Sequence, residues 1–167
     1  MRRFAILLLA ALLVLPAAAQ NLTGVWNMTE SMDEKQDDMD SSMIMTVDMT
    51  LAGDGTCLQM GNASMTLGKD DVDLHFKIEF SVSGTWTRVG ETLTIRNNPK
   101  SAKIEVTENN LPGVLKVLIV NTLKKELKKE FTSKKPDVYA IISLTESELV
   151  LLEQGVKNPQ PETYKRK

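Results

Sequence analysis

Four features of the sequence could carry chemistry: a single histidine, a single cysteine, an acidic run and a cluster of methionines. His75 is the one side chain whose ordinary pKa lies near neutral pH, so it is the first candidate for acid–base work. Catalysis also needs a partner acid, base or nucleophile at a fixed spacing. The sequence contains no Gly-x-Ser-x-Gly, no His-Glu-x-x-His and no glycine-rich phosphate loop. We therefore expect that the protein is not an enzyme and that His75 lies on the polar face of a strand.

Methionine is the most unusual residue, because eight of the nine methionines lie between positions 28 and 65. Thioethers adapt to irregular apolar ligands, and they also bind the soft ion Cu(I). The simplest alternative is that they replace leucine and valine in the core. Met43, Met45 and Met49 alternate in phase with Val47 and Leu51, which favours a core or an apolar pocket over a metal site. We therefore predict no metal ligand and no cofactor, with a methionine-based copper site as a minor alternative.

The acidic run and the cysteine are both predicted to be structural. Residues 33–40 contain five carboxylates and one lysine, and their spacing fits no calcium-binding loop. Such a run favours solvent, so we expect a loop there. Cys57 has no second cysteine with which to form a disulfide within the chain, and we expect a small, buried apolar side chain.

The N-terminus has the pattern of a secretory signal peptide. Arg2 and Arg3 precede a twelve-residue apolar run, and small residues at 17–19 suit cleavage before Gln20. The run is too short to span a membrane. The sequence thus predicts a signal peptide over 1–19 and one domain over 20–167, exported to a periplasm or secreted. Without residues 1–19 the chain has 18 basic and 22 acidic residues and a net charge of −4, which argues against a nucleic-acid partner.

The longest patterned segment runs from 71 to 96, and it predicts a strand followed by a hairpin. Apolar residues occupy every second position from Val72 to Trp86, so one face of the strand is apolar. Gly90 and Glu91 supply the turn. Because Gly84 falls in the same phase, we expect a bend there and no turn.

Other segments add strands and one helix. Residues 22–29, 42–51, 56–67, 102–107, 138–144, 148–154 and 162–166 read as strands, with a bulge expected at Gly61 and Asn62. Residues 112–131 predict an amphipathic helix, with Asn110 as a candidate cap. Eight or nine strands joined mostly by short turns predict an all-β, antiparallel, up-and-down barrel with one helix.

Two motifs carry a family resemblance. Gly24-Val25-Trp26 resembles the Gly-x-Trp signature that opens lipocalins. Gly84-Thr85-Trp86, followed by the hairpin to residue 95, is similar to a hairpin of the small exported lipocalin-like domains of Bacteroidetes-type bacteria. The resemblance implies a calycin-type β-barrel. It also implies that Trp26 packs at the closed base of the barrel under a basic side chain from the last strand, for which Arg166 is the candidate. Gly24, Trp26, Gly84, Trp86 and Arg166 are thus expected to be structural.

A barrel of eight strands can enclose one small ligand. The in-phase stripes on the two clearest strands predict its interior wall, formed by Met43, Met45, Val47, Met49, Leu74, Phe76, Ile78 and Phe80. The expected partner is a small apolar ligand. The alternative is a solid barrel that contacts a partner protein through its outer face or its helix. The sequence pattern indicates neither the ligand nor an oligomeric state.

Overall fold

A computed structural model of the chain describes residues 21–36, 39–69, 72–111, 113–131 and 135–167, so the predicted signal peptide lies outside it. These residues form nine strands and one long helix. The strands are β1 (Gly24–Gln36), β2 (Met39–Leu51), β3 (Thr56–Lys69), β4 (Val72–Val89), β5 (Thr92–Asn97), β6 (Lys103–Asn109), β7 (Asp137–Leu144), β8 (Glu148–Glu153) and β9 (Pro161–Arg166). The helix α1 (Gly113–Phe131) lies between β6 and β7, and a 3-10 turn (Pro99–Ser101) lies between β5 and β6.

Eight strands close into a barrel, and the ninth lies beside it. In the closed circuit the order is β1-β2-β3-β4-β5-β7-β8-β9, and β9 returns to β1. β6 pairs with β4 outside this circuit. The ladders between the described strands are antiparallel, as short turns between neighbours require. The predicted all-β barrel with one helix is confirmed.

β4 connects the two parts of the sheet because it runs unbroken through 18 residues. Its N-terminal part pairs with β6 through residues 76–81, and its C-terminal part pairs with β5 through residues 84–89. Gly84 lies where β5 begins to pair, and a Cβ there would overlap the backbone carbonyl of Arg96. A larger residue would therefore separate β4 from β5. The prediction of a continuous strand through Gly84 is confirmed.

The part of the chain that the structure describes completes the barrel circuit at one end. Among the described residues, β1 and β9 pair at Trp26–Arg166 and Asn27–Lys165, after which β1 continues to Gln36 against β2 alone. We call the closed end the base; its filled interior includes Trp26, Leu93, Ile95, Leu149 and Leu151, each at most 1 % exposed. We call the remainder the sheet extension: residues 28–36, 39–47, 61–69 and 72–80 of β1 to β4, together with β6.

The prediction of a loop at residues 33–40 is wrong for residues 33–36 and 39–40, and residues 37 and 38 lie outside the described part of the chain. β1 and β2 form a hairpin whose ladder continues to Gln36 and Met39, with Asp33 opposite Ser42 and Lys35 opposite Asp40. Asp33 and Asp40 are exposed at this tip, so their charges stay in water while the backbone remains paired. The charge run therefore indicated the exposure of Asp33 and Asp40 correctly, but it did not prevent strand formation.

The predicted bulge at Gly61 and Asn62 is also wrong. β3 keeps a regular register with β2 on one side and β4 on the other through these positions. Gly61 is explained by crowding, because a Cβ there would overlap the Phe80 ring and the Thr46 carbonyl oxygen. Glycine is thus required at Gly61 for close approach and not for an irregular backbone.

The predicted helix is confirmed at residues 113–131. Its start is tied to β4, because the His75 backbone N–H donates to Asn110 Oδ1 at 2.8 Å and the Asn110 N–H donates to the His75 carbonyl at 3.4 Å. Leu111, just before the helix, is buried, whereas Val117 and Leu118 are 63 % and 66 % exposed. In the described part of the chain, no helix has the length and apolar character that crossing a bilayer requires.

Candidate functional site

The base is organised around Trp26, which is fully buried. Its indole N–H donates to the Leu22 carbonyl at 2.8 Å, and the Arg166 guanidinium carbon lies 4.4 Å from its ring centroid. Arg166 also donates to the carbonyls of Thr23 at 3.0 Å and Asn21 at 2.7 Å. The contact expected between Trp26 and Arg166 is therefore present, and these hydrogen bonds hold the segment before β1 against the end of β9.

The first glycine of the Gly-x-Trp motif has a physical reason in the same contact. Gly24 has φ = 136°, and a Cβ there would lie 3.1 Å from Arg166 Nη1. Trp86, from the other motif, donates its indole N–H to the Ala52 carbonyl at 2.9 Å. Both motifs thus contribute to packing and hydrogen bonding near the base.

The eight predicted wall residues lie on one face of β2 and β4, which is the inner face. The register places three rows across the strands: Val47 with Gly61 and Phe80, Met45 with Ala63 and Ile78, and Met43 with Met65 and Phe76. Because directly opposed residues share a face of a sheet, each row is continuous. The phase predicted from the sequence is therefore the phase in the structure.

The eight residues differ in burial along the strand axis. Met49 and Val47 belong to the core near the base, at 2 % and 8 % exposure. Met45 and Phe80 are partly buried and pack against that core. Farther out, Phe76 and Ile78 are buried, whereas Met43 and Leu74 are half-buried. The predicted wall thus begins in the filled core and ends in the sheet extension.

An acidic group on the same inner face was missed by the sequence reasoning. It consists of the carboxyl groups Glu30, Asp137, Glu153 and Glu162 and the phenols Tyr139 and Tyr164. The register places these side chains on the inner face: Asp137 is opposite Ile95, Tyr139 is opposite Leu93, and Glu162 is opposite Leu151. The pattern that could have shown this is the alternation of Asp137, Tyr139 and Ile141 ahead of a bulge near Ile142.

Burial controls the ionisation of this group. Desolvation raises the pKa of Glu162, and the nearby charges of Glu153 and Glu30 raise it further, while a hydrogen bond from the Tyr164 hydroxyl at 2.8 Å opposes the rise. Desolvation likewise raises the pKa of Asp137, with a contribution from Glu153. The inner surface therefore has an apolar wall on β2 and β4 and a carboxyl-rich wall formed by β7 to β9 with Glu30 of β1.

A cleft opens where β1 separates from β9. It has a volume of about 360 Å³, and its lining includes Met28, Glu30, Glu153, Pro161 and Glu162. Apolar and acidic side chains from β1, β8 and β9 therefore meet there. A second concavity of about 400 Å³ lies on the outer face, beside Asn62, Glu79 and Lys103.

His75 and Cys57 are not brought into the inner surface as a reactive pair. His75 is exposed on the outer face, and its Nδ1 lies 3.0 Å from the Thr66 hydroxyl. Cys57 is 3 % exposed, and burial raises the pKa of its thiol to about 11. Among the described residues, no three histidine, cysteine or carboxylate side chains are grouped as metal ligands.

Comparison of the sequence with protein-family models gave no match, and a search of curated proteins found none that is significantly similar. The fold itself, an antiparallel closed barrel of eight strands with one additional strand, is compatible with the lipocalin-like architecture.

Proposed function

We propose that this chain is a non-catalytic, lipocalin-like binding module that takes a small apolar ligand against the inner face of the sheet extension. The observation that carries the proposal is the continuity of the inner wall. From Met49 through Met45 to Met43, side chains on one strand change from fully packed to half-buried while the face stays apolar. Apolar surface that continues beyond a filled core is typical of ligand-binding cavities.

The place of the ligand follows from the filling of the base. Trp26, Leu149 and Leu151 leave no exposed surface there, so a ligand has to lie toward Met45 and Phe80. The opposite wall supplies a few polar groups, Tyr139 and Glu162 among them, which could orient one polar end of a mainly apolar molecule.

Export belongs to the same proposal. The basic N-terminus, the twelve-residue apolar run and the small residues before Gln20 support a cleaved signal peptide. The protein would then act in a periplasm or outside the cell, where a small apolar molecule needs a carrier because water solvates it poorly.

A matched pair of variants on β3 tests the site. Ala63 lies on the inner face between Met45 and Ile78, and its neighbour Ser64 is exposed on the outer face. Ala63→Phe should block uptake of the neutral fluorescent probe N-phenyl-1-naphthylamine, whereas Ser64→Phe should leave uptake unchanged. Native mass spectrometry of protein purified from its own cells then identifies the resident molecule.

Two results would overturn the proposal. One is a wild-type protein that takes up no probe and carries no small molecule. The other is equal uptake by both variants. In a solid interior, Ala63→Phe would instead overpack the core and lower the free energy of unfolding by about 1–3 kcal/mol. Unfolding in urea, measured for both variants, separates a blocked cavity from a strained core.

The alternative is an interaction module that uses the helix. Val117 and Leu118 favour it, because both are more than half exposed. Adjacent helical residues point about 100° apart, so these two do not form one line along the helix. The half-buried inner wall is the more extensive feature, and we therefore rank ligand binding first.

A further inference from the structure

The methionine cluster separates into distinct groups once the strands are paired. Met28 and Met49 are core residues, at 7 % and 2 % exposure, and Met45 packs against that core. Met60 is 51 % exposed on the outer face of β3. A role as core filler accounts for the first group, and Met60 is an isolated surface residue. Of the methionines whose side chains the structure describes, three further ones fit neither description.

These three, Met32, Met43 and Met65, lie in one row across three adjacent strands. Met32 on β1 is directly opposite Met43 on β2, and Met43 is directly opposite Met65 on β3. Direct cross-strand neighbours have Cβ atoms about 4.5–5.5 Å apart. Methionine has three rotatable side-chain bonds, so sulfur atoms in such a row can turn toward one point above Met43.

The row is accessible from solvent, unlike the core methionines. Met32 is 44 % exposed, and Met43 and Met65 are half-buried. On the far side the row meets Phe76 of β4, which is opposite Met65 and only 3 % exposed. The row is thus open at β1 and bounded by an aromatic ring at β4.

We propose that Met32, Met43 and Met65 form a thioether site for Cu(I), separate from the small-ligand site at Met45 and Phe80. Thioether sulfur is a soft, neutral ligand that favours Cu(I) over hard ions such as Ca²⁺ and Mg²⁺. It has no proton to lose near neutral pH, so binding needs no deprotonation and the ion keeps its oxidation state. The other soft ligand, Cys57, is a buried thiol whose register position is opposite Leu51, at the far end of β2.

The test is a competition for Cu(I) under anaerobic conditions with bicinchoninate as the coloured competitor. Methionine-to-leucine changes keep side-chain volume and apolar character, so the fold should tolerate them. The wild-type protein should withdraw one equivalent of Cu(I) from the competitor. Met43→Leu, which removes the central sulfur, should weaken this by about tenfold or more, the equivalent of ~1.4 kcal/mol.

Two controls use residues outside the row. Met60→Leu removes an exposed thioether on the other face and should bind Cu(I) as the wild type does. Cys57→Ser removes the thiol and should also leave binding unchanged. With Ag(I) as a redox-inert substitute, the ε-methyl NMR signals of Met32, Met43 and Met65 should shift, while that of Met60 should not.

Three results would overturn the assignment. The first is a wild-type protein that withdraws no Cu(I). The second is Met43→Leu binding Cu(I) as tightly as Met60→Leu. The third is loss of binding in Cys57→Ser alone, which would assign the ion to the thiol.

Discussion

The base and the sheet extension share the four long strands β1 to β4, yet they differ in how those strands are covered. At the base, β1 is paired on both sides, and Trp26, Leu149 and Leu151 are almost fully buried. In the sheet extension, β1 has β2 on one side and, within the described residues, no strand on the other. There Met32 is 44 % exposed and Met43 is half-buried.

The difference teaches that strand length determines where surface is left for binding. β1 to β4 have 13, 13, 14 and 18 residues, whereas β5, β8 and β9 have six each. The short strands can cover only the part of the long ones nearest the base. Beyond that point the long strands keep their apolar inner face without a complete barrel over it. The outer part of the predicted ligand wall and the methionine row both lie in that region.

The largest expected effect is at the base, from Trp26→Ala. The change empties a fully buried site and removes the indole hydrogen bond to Leu22 and the contact with Arg166. We expect the free energy of unfolding to fall by about 3–5 kcal/mol, as for other buried aromatic truncations. Urea denaturation followed by circular dichroism measures it.

Trp26→Phe is the matched control. It keeps an aromatic ring beneath the guanidinium but loses the N–H donor, so a smaller loss of about 1–2 kcal/mol is expected. A Trp26→Ala variant that loses less than the phenylalanine variant would contradict the description of the base as a tightly packed end.

A second prediction compares the two regions on a single strand. Met49 and Met43 have the same side chain and the same face of β2, but Met49 is 2 % exposed and Met43 is half-buried. Met49→Ala should lower the free energy of unfolding by about 2–4 kcal/mol, whereas Met43→Ala should cost about 1 kcal/mol or less. Urea unfolding of both variants is the measurement. Equal costs would mean that the sheet extension is packed as densely as the base, and the argument for surface available to a ligand would fail.

The fold was largely predictable because its signals are local. Period-two alternation depends on neighbouring residues in one strand, so β2, β4 and the phase of Val47 and Ile78 could be read directly. The helix was predictable for the same reason, since its apolar spacing and its Lys/Glu-rich half lie within residues 112–131. The resemblance carried by Gly24-Val25-Trp26 supplied the contact with Arg166.

The candidate sites were less predictable because they depend on which residue faces which across strands. Nothing local indicates that the β1–β9 ladder stops after Asn27, and this stop opens the cleft. The row of Met32, Met43 and Met65 likewise requires the registers of two ladders. The carboxyl-rich wall comes from β1, β7, β8 and β9, and each strand contributes a single carboxylate to it. The acidic run before Asp40 also shows that exposed, charged side chains do not by themselves indicate a loop, because the backbone there is paired in a strand.

The smallest expected effect concerns the carboxyl-rich wall, and it is a pH dependence. Burial raises the pKa of Glu162 above that of an unfolded glutamate, so between these two pKa values the folded protein binds more protons than the unfolded chain. The free energy of unfolding therefore decreases as pH rises from about 4.5 through the folded pKa of Glu162. Asp137, whose pKa is also raised, contributes in the same direction. Asp48 acts oppositely, because hydrogen bonds from Lys167 and Asn27 lower its pKa, and its contribution is lost only below about pH 4.

Glu162→Gln should therefore stabilise the protein at pH 7 and reduce the slope of stability against pH above 4.5. Glutamine keeps an oxygen that can accept the Tyr164 hydroxyl, so the hydrogen bond at 2.8 Å need not be lost. The gain should be modest, about 0.5–1 kcal/mol, because Glu162 is only partly buried and solvent screens its charge.

Glu105→Gln on the exposed outer face is the control, and it should leave both the stability and the slope unchanged. Urea unfolding from pH 4.5 to pH 8 measures both quantities. If Glu162→Gln destabilised the protein at pH 7, the ionised carboxylate would be a stabilising group at the cleft. The carboxyl-rich wall would then contribute to the stability of the fold as the base does, unlike the sheet extension.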